Sequence, residues 1–145
     1  MKNHTWIVVA NKEKAKIYRI VKVGKFEEVA SFVHPDIGKK GIDYQEDRLG
    51  RAFDRMGGGR HAMEPETTIE DKKCIAFARI LNDFLKAAYD RGDFEHLFIA
   101  CEARFLGYLR SNLKRELLET IEETVNKDLV DRKPQDVWDH LGITV

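Results

Sequence analysis

The stretch HLFIACEARFLGYLR, residues 96–110, carries a clear signal of the fold class. Its first six residues are apolar almost throughout, which is typical of a strand that lies inside a sheet and is covered on both faces. From Ala103 onward the period changes, because Phe105, Leu106 and Leu109 recur at helical spacing. A buried strand that leads directly into a helix is typical of an α/β layer fold.

The segments that follow residue 110 continue this pattern. The helix is predicted to run from Ala103 to about Leu118, with a fifth strand including Ile121–Val125, although KRELLETIEETV would also suit one continuous helix. Pro134 is expected to open a last short helix whose apolar residues pack back on the sheet. The unit through residues 94–125 should therefore be a parallel strand–helix–strand crossover of the usual right hand.

The segments before residue 96 supply the rest of the layers. Thr67 or Thr68 is predicted to cap a long helix that ends near Arg91-Gly92, with Glu70 and Asp71 in its first turn. Three short strands, at residues 6–10, 15–21 and 26–33, have tight connections and predict an antiparallel meander. We therefore expect one α/β domain over residues 1–145, a layered sandwich around a mixed five-stranded sheet.

The composition limits the classes of function. The chain has 145 residues with 25 basic and 25 acidic side chains, so no net charge draws it to DNA or a membrane. The first apolar run, residues 6–10, is too short for a signal peptide or a membrane span, which predicts a cytoplasmic protein. Cys74 and Cys101 are far apart and outside any metal motif, so buried reduced thiols are expected.

The connection from residue 34 to 66 has no clean period and holds six of the ten glycines. Such a long connection is usually functional or disordered. Glycine backbone tolerates close approach, and guanidinium groups suit phosphate or carboxylate. Three interpretations of this connection remain open: a mobile or partner-ordered loop, an RNA- or ribosome-facing loop, and a small-anion or catalytic pocket. The connection carries six Lys or Arg against seven Asp or Glu, so it has no surplus of positive charge that would favour RNA. The candidate binding residues of this loop are Arg48, Arg51, Gly57, Gly58, Gly59, Arg60, His61 and Glu64.

Catalysis and metal binding have less support. His61 and Glu64 form an i, i+3 pair, but two ligands are too few for a metal site and no third is evident, so no metal or other cofactor is expected. Two further candidate binding residues lie where strands end: Asn11 after the first strand and Arg104 after the fourth. Ligands often bind at the carboxyl edge of open α/β sheets, and the two residues share that edge if their strands are parallel. A solvent-facing charge is the simpler interpretation of Arg104.

Several motifs are similar to those of a known family. DRLGRAFD at residues 47–54 and GGGRHAMEPET at 57–67 precede the long helix, and WIVVANKEKAKIYRI, CEARFLGYLR and NKDL lie elsewhere in the chain. Together they resemble the host attachment family, small bacterial proteins named as required for attachment to host cells. This resemblance covers nearly the whole chain and implies a direct or indirect role in attachment through protein contacts.

The layout also resembles the central domain of archaeo-eukaryotic class 1 release factors and of Pelota-type ribosome-rescue proteins. That resemblance implies a ribonuclease H-like sandwich in which a glycine loop precedes a long helix and contacts the ribosome or tRNA. Gly58 and Gly59 match the glycines of the release-factor Gly-Gly-Gln motif, but Arg60 occupies the position of the glutamine. We therefore expect contact without peptidyl-tRNA hydrolysis, while a small hydrolase using Arg60, His61 and Glu64 is the alternative from another class.

Overall fold

The computed structural model describes residues 4–22, 24–34 and 68–142. It contains one five-stranded sheet with the strand order β3-β2-β1-β4-β5. The sequence also predicts a short helix around residues 44–53, and this segment lies outside the described residues. The strands are β1 (Thr5–Ala10), β2 (Lys14–Lys22), β3 (Lys25–Val33), β4 (His96–Cys101) and β5 (Ile121–Val125).

The sheet is mixed, as predicted. β1 pairs with β2 and β2 pairs with β3 in antiparallel fashion, so the first three strands form the expected meander. β4 pairs in parallel with both β1 and β5. The registers Ala10 to Cys101 and Ala100 to Val125 bring the carboxyl ends of these three strands to one edge.

Helices cover both faces of the sheet. One face carries α1 (Ile69–Asp90), whose apolar side chains at helical spacing are buried from Cys74 to Ala88. The same core includes buried residues of α2 (Ala103–Asn112) and the short α3 (Arg115–Thr120). The other face packs against α4 (Pro134–Leu141), where Val137, Trp138 and Leu141 are buried. Burial of apolar residues on both faces stabilises the layered arrangement.

The prediction of one helix from Ala103 to about Leu118 was wrong. The helix stops at Asn112, because Leu113 adopts an extended conformation (φ −85°, ψ 141°) and its side chain enters the core. The next residue, Lys114, donates its backbone N–H to Oδ1 of Asn82 at 2.9 Å. Asn82 is only 6% exposed in α1, so this bond satisfies a polar group that burial would otherwise penalise. The helical periodicity of the apolar residues continues across the break, so the sequence does not reveal the break.

Both ends of α1 follow local rules. Thr68 is the N-cap: its Oγ1 accepts from the Asp71 amide at 2.9 Å, and the Asp71 carboxylate accepts from the Thr68 amide at 3.3 Å. This reciprocal capping box satisfies two amides that a helix start leaves unpaired. At the other end, Gly92 takes φ +81°, a left-handed conformation that glycine adopts without steric cost.

Cys74 and Cys101 are free and buried, as predicted.

Candidate functional site

The carboxyl edge of the sheet gathers the candidate residues that the structure describes. β1, β4 and β5 all end there, and β3 ends there too because Val33 is paired with Lys14 at the start of β2. Asn11 follows β1 directly, and Arg104 lies in the first turn of α2, two residues beyond the N-cap that follows β4. Asn11 and Arg104 therefore share this edge, as the sequence predicted for parallel strands.

The two residues that flank the undescribed segment 35–67 lie at the same edge. The backbone N–H of His34 donates to the Glu13 carbonyl at 2.8 Å, next to the turn between β1 and β2. His34 Nε2 lies 2.8 Å from the carbonyl oxygen of Lys73 in α1. Since a carbonyl oxygen only accepts, this nitrogen is the protonated one. The imidazole also lies against Phe77, with ring centroids 5.3 Å apart, so the exit of β3 is fixed to α1.

The other flank, Thr68, is anchored through the first turn of α1. The Glu70 carboxylate lies 3.0 Å from Nζ of Lys12, which is in the turn after β1. This contact lowers the pKa of Glu70, chiefly through the hydrogen bond from Lys12, and raises the pKa of Lys12. Residues 34 and 68 are therefore both held at the carboxyl edge by contacts with α1 or with the turn between β1 and β2.

Asp71 connects three other residues at this edge, Thr68, Arg104 and Tyr108. Arg104 Nη2 lies 3.4 Å from Asp71 Oδ1, and the Tyr108 hydroxyl donates a hydrogen bond to the same oxygen. The pKa of Asp71 is lowered, first by the Tyr108 hydrogen bond and then by those of the Thr68 cap. The pKa of the Tyr108 phenol is raised, because ionising it would remove that hydrogen bond and place two anions together.

The β1–β2 turn has its own polar partners. Asn11 Oδ1 accepts from the amides of Glu13 and Lys14 at 2.8 and 2.9 Å, which folds the turn. Its Nδ2 donates to Asp128 at 2.9 Å, and Lys14 Nζ lies 2.9 Å from the Asp131 carboxylate. Asn11 thus ties the turn to the segment after β5, a structural role that the sequence did not reveal.

Charge at the described part of the edge is balanced. Lys12, Lys14 and Arg104 are each within ion-pair distance of a carboxylate, on Glu70, Asp131 and Asp71 respectively. These pairs are largely exposed and contribute little to stability, but they neutralise the local field. The described edge is therefore not a basic patch. Of the three cations, Arg104 lies farthest from its carboxylate, and its side chain is 58% exposed.

Of the predicted site residues, Asn11 and Arg104 are the two that the structure describes. Asn11 and Arg104 share an edge, but their hydrogen bonds go to different partners, Asp128 and Asp71. The remaining predicted residues lie outside the described part of the chain: Arg48, Arg51, Gly57, Gly58, Gly59, Arg60, His61 and Glu64.

Sequence reasoning missed Tyr108 and the full role of Asp71. Asp71 was predicted only to complement the helix dipole, although its spacing from Thr68 fits a capping box. Tyr108 lies four residues after Arg104, so both are on one face of α2. That spacing was a usable signal, but only the tertiary structure shows that the face meets Asp71.

The described residues contain no group of three or more His, Cys, Asp or Glu side chains placed to hold a metal ion. Among the helices described, none is both long and apolar enough to cross a membrane.

Comparison with known proteins gives a family. The family model described as bacterial archaeo-eukaryotic release factor family 12 matches residues 4–141, nearly the whole chain. No curated protein matches the sequence. The mixed five-stranded sheet with helices on both faces is consistent with a release-factor-like fold. The match supports the release-factor resemblance and does not extend to the host attachment name.

Proposed function

The chain belongs to bacterial archaeo-eukaryotic release factor family 12, and we propose that it is a cytoplasmic release-factor-like module that contacts the ribosome or tRNA. The contact is assigned to the glycine loop from Gly57 to Glu64, with Arg48 and Arg51 upstream. A fold hosts many functions, so the family alone does not establish this role. The placement of the loop's two flanks carries the proposal.

That placement is the single most informative observation. His34 and Thr68 lie at the carboxyl edge of the sheet, where open α/β folds bind their ligands. A segment of 33 residues, numbers 35–67, joins them and contains the three consecutive glycines. Its two attachment points are held by hydrogen bonds to a 22-residue helix and to the β1–β2 turn. A rigid base of this kind favours presenting a loop to a large partner.

Because the described cations at the edge lie near carboxylates, an RNA contact would depend on the loop. Lys12, Lys14 and Arg104 are already near carboxylates, so they displace few counterions from a phosphate backbone. Binding then depends on the loop arginines and on close backbone approach at Gly57–Gly59. Because this contact neutralises few phosphates, we expect its affinity to fall only weakly with salt.

Peptidyl-tRNA hydrolysis is not part of the proposal. The release-factor reaction is tied to the glutamine of Gly-Gly-Gln, and Arg60 occupies that position here. A guanidinium carries five donors and no acceptor, whereas a glutamine amide has both, so Arg60 does not reproduce the hydrogen bonds of the glutamine side chain. The module is therefore proposed to bind without hydrolysing.

Co-sedimentation with ribosomes tests the proposal. Purified wild-type protein is expected to pellet with ribosomes, and a Gly58→Val/Arg60→Ala variant is expected to stay in the supernatant. Arg91→Ala is the matched control, because Arg91 follows the far end of α1 and should pellet like the wild type. Equal pelleting of wild type and loop variant, or no pelleting of either, contradicts the proposal.

Two alternatives from the sequence stay predictions. A role in attachment to host cells through protein contacts is checked by cell fractionation, since a purely cytosolic protein would leave only an indirect effect. A hydrolase using Arg60, His61 and Glu64 is checked by screening esters, nucleotides and peptidyl-tRNA. Turnover that is lost in His61→Ala would favour the hydrolase over the binding module.

A further inference from the structure

Positive charge is concentrated around the break between α2 and α3. Residues 102–116 carry four basic and two acidic side chains, whereas the whole chain has no net charge. Arg79 of α1 reaches the same place, since its Nε donates to Oδ1 of Asn112, the last residue of α2, at 3.3 Å. We define the break cluster as four exposed cations at this place: Arg79, Arg110, Lys114 and Arg115.

The arginines of the break cluster are not neutralised by carboxylates. The described residues include seven arginines, and four of these lie within 4.0 Å of a carboxylate oxygen: Arg19, Arg91, Arg104 and Arg132. In the same part of the chain, three arginines have no carboxylate at this distance, and they are Arg79, Arg110 and Arg115. A guanidinium without a paired carboxylate offers its full charge to an incoming anion.

Neutral hydrogen bonds hold two of these guanidinium groups without cancelling their charge. Arg110 Nη2 donates to Oγ1 of Thr124 in β5 at 2.9 Å, and Arg79 donates to the Asn112 amide oxygen. Each bond uses one of the five N–H donors of a guanidinium. Because the side chains are already ordered, binding costs less conformational entropy. Both groups are therefore positioned for a partner that is rich in oxyanions.

The acidic side chains of these segments cancel only part of the charge. Glu102 is the N-cap at the opposite end of α2, and Glu116 lies 3.9 Å from Nζ of Lys86. Asp83 and Glu119 are exposed one turn after Arg79 in α1 and Arg115 in α3. Against these two carboxylates, the four cations of the break cluster keep a surplus of positive charge.

The helix α2 connects the break cluster to the carboxyl edge of the sheet. Arg104 lies at that edge, and the ten residues Ala103–Asn112 span about 15 Å. The outer face between the two ends is low, because Gly107 and Ser111 are exposed and a Cβ at Gly107 would have open space around it. A large partner at the carboxyl edge can therefore extend along α2 to the break cluster.

We propose that the break cluster is a second RNA contact, which binds the phosphate backbone of the partner that the proposed function assigns to the glycine loop. The identity of the partner rests on that proposed function, whereas the contact rests on the charges and hydrogen bonds of the break cluster. Guanidinium groups bind phosphate oxygens in bidentate fashion. Such contacts position an RNA without reading its sequence. Each neutralised phosphate releases counterions, so the break cluster supplies the salt-dependent part of the affinity that the loop contact lacks.

Removal of charge tests the break cluster. Fluorescence anisotropy measures the affinity of the protein for labelled tRNA and for deproteinised ribosomal RNA between about 50 and 200 mM KCl. Arg110→Gln/Lys114→Gln/Arg115→Gln should weaken binding at least about tenfold and reduce the slope of log affinity against log salt by about two. The matched control is Arg19→Gln/Arg91→Gln/Arg132→Gln, which removes three charges from arginines that already lie near carboxylates. It should bind like the wild type.

A single substitution adds an opposing charge without weakening the helix. Gly107→Glu places a carboxylate on the outer face of α2, and Gly107→Gln is the neutral control of the same size. Both replace glycine by a better helix former, so urea unfolding should show no loss of stability in either. RNA binding should weaken in Gly107→Glu and stay unchanged in Gly107→Gln. Equal affinities of these two variants would overturn the inference.

Ribosome pelleting separates this inference from the proposed function. Pelleting and RNA affinity that stay unchanged in the triple variant overturn the break cluster, even if Gly58→Val/Arg60→Ala no longer pellets. Losses in the triple variant alone support the break cluster and contradict the loop contact. Equal losses in the triple variant and its matched control, or absence of RNA binding by the wild type, also overturn the inference. Full RNA affinity in a triple variant that no longer pellets overturns it too, and would assign the break cluster to a ribosomal protein.

Discussion

Tyr108 in α2 donates a hydrogen bond to the carboxylate of Asp71 in α1, across 37 positions of sequence. The same carboxylate accepts from the Thr68 amide and completes the N-terminal cap of α1. One side chain thus joins the second helix to the start of the first, beside the residue at which the undescribed segment ends. The geometry of that attachment point depends on α2 as well as on local capping.

The first prediction concerns the ionisation of Asp71. In the wild type its pKa is lowered, with the Tyr108 hydrogen bond as the largest cause. Because the pKa is lower in the folded state, the ionised Asp71 stabilises the protein at a pH above the unfolded-state pKa of about 3.9. This contribution is lost as the pH falls through the folded-state pKa. Tyr108→Phe should raise the Asp71 pKa toward its ordinary range, as measured by NMR titration. Arg104→Ala should raise it less, and a larger effect of Arg104→Ala would contradict this ranking.

Capping by Thr68 gives the second prediction. Thr68→Ala removes the oxygen that accepts from the Asp71 amide at 2.9 Å. We expect a loss of about 1 kcal/mol in the free energy of unfolding, measured with urea. Thr68→Ser keeps the hydroxyl and should change stability much less. Equal losses in the two variants would show that the hydroxyl does not act as a cap.

The third prediction addresses the break between α2 and α3. Asn82→Ala leaves the Lys114 amide without its acceptor at a partly buried position. The expected loss is about 1–3 kcal/mol, read from urea unfolding. Asn82→Asp keeps an oxygen at that place, but it also puts a second carboxylate beside Asp83 at a position that is 6% exposed, so it should not restore the stability. A change below about 0.5 kcal/mol in Asn82→Ala, the range of ordinary surface substitutions, would mean that water replaces the bond.

Core packing of α1 supplies the fourth prediction. Leu81 has no exposed surface in the core beneath the sheet. Leu81→Ala should cost about 2–5 kcal/mol, because it removes apolar contacts and leaves a cavity. Val33→Ala, at a side chain that is 66% exposed, is the matched control and should stay within about 0.5 kcal/mol of the wild type. Similar losses in both variants would argue against the assigned core.

Thiol reactivity is the fifth prediction. Burial raises the pKa of both cysteines, most strongly that of Cys101, so neither is a ready thiolate at neutral pH. In the folded protein both should react slowly with a thiol reagent such as a disulfide dye, and denaturant should expose both. Rapid modification of Cys101 before unfolding would contradict its burial.

Much of the fold was predictable because it rests on local periodicity. Three segments have a secondary structure that follows from their local sequence: β4 from its continuous apolar run, α1 from its helical spacing and α4 from Pro134 at its start. The meander followed from short connections between strands. The helix break at Leu113 was not predictable, because a buried polar acceptor on another helix stabilises it.

The features of the candidate site also fall into those that the sequence predicts and those that require the tertiary structure. Periodicity along the chain was enough to predict the α/β layers and a cap at Thr67 or Thr68, because both are local properties. The shared edge of Asn11 and Arg104 followed only on the condition that their strands are parallel, which the pairing of β1 with β4 fulfils. Three-dimensional packing was needed to see that Tyr108 meets Asp71, and that Lys12, Lys14 and Arg104 each lie near a carboxylate. Those contacts depend on distances between residues that are far apart in the chain. Packing sets these distances, and the periodicity of the sequence carries no information about them.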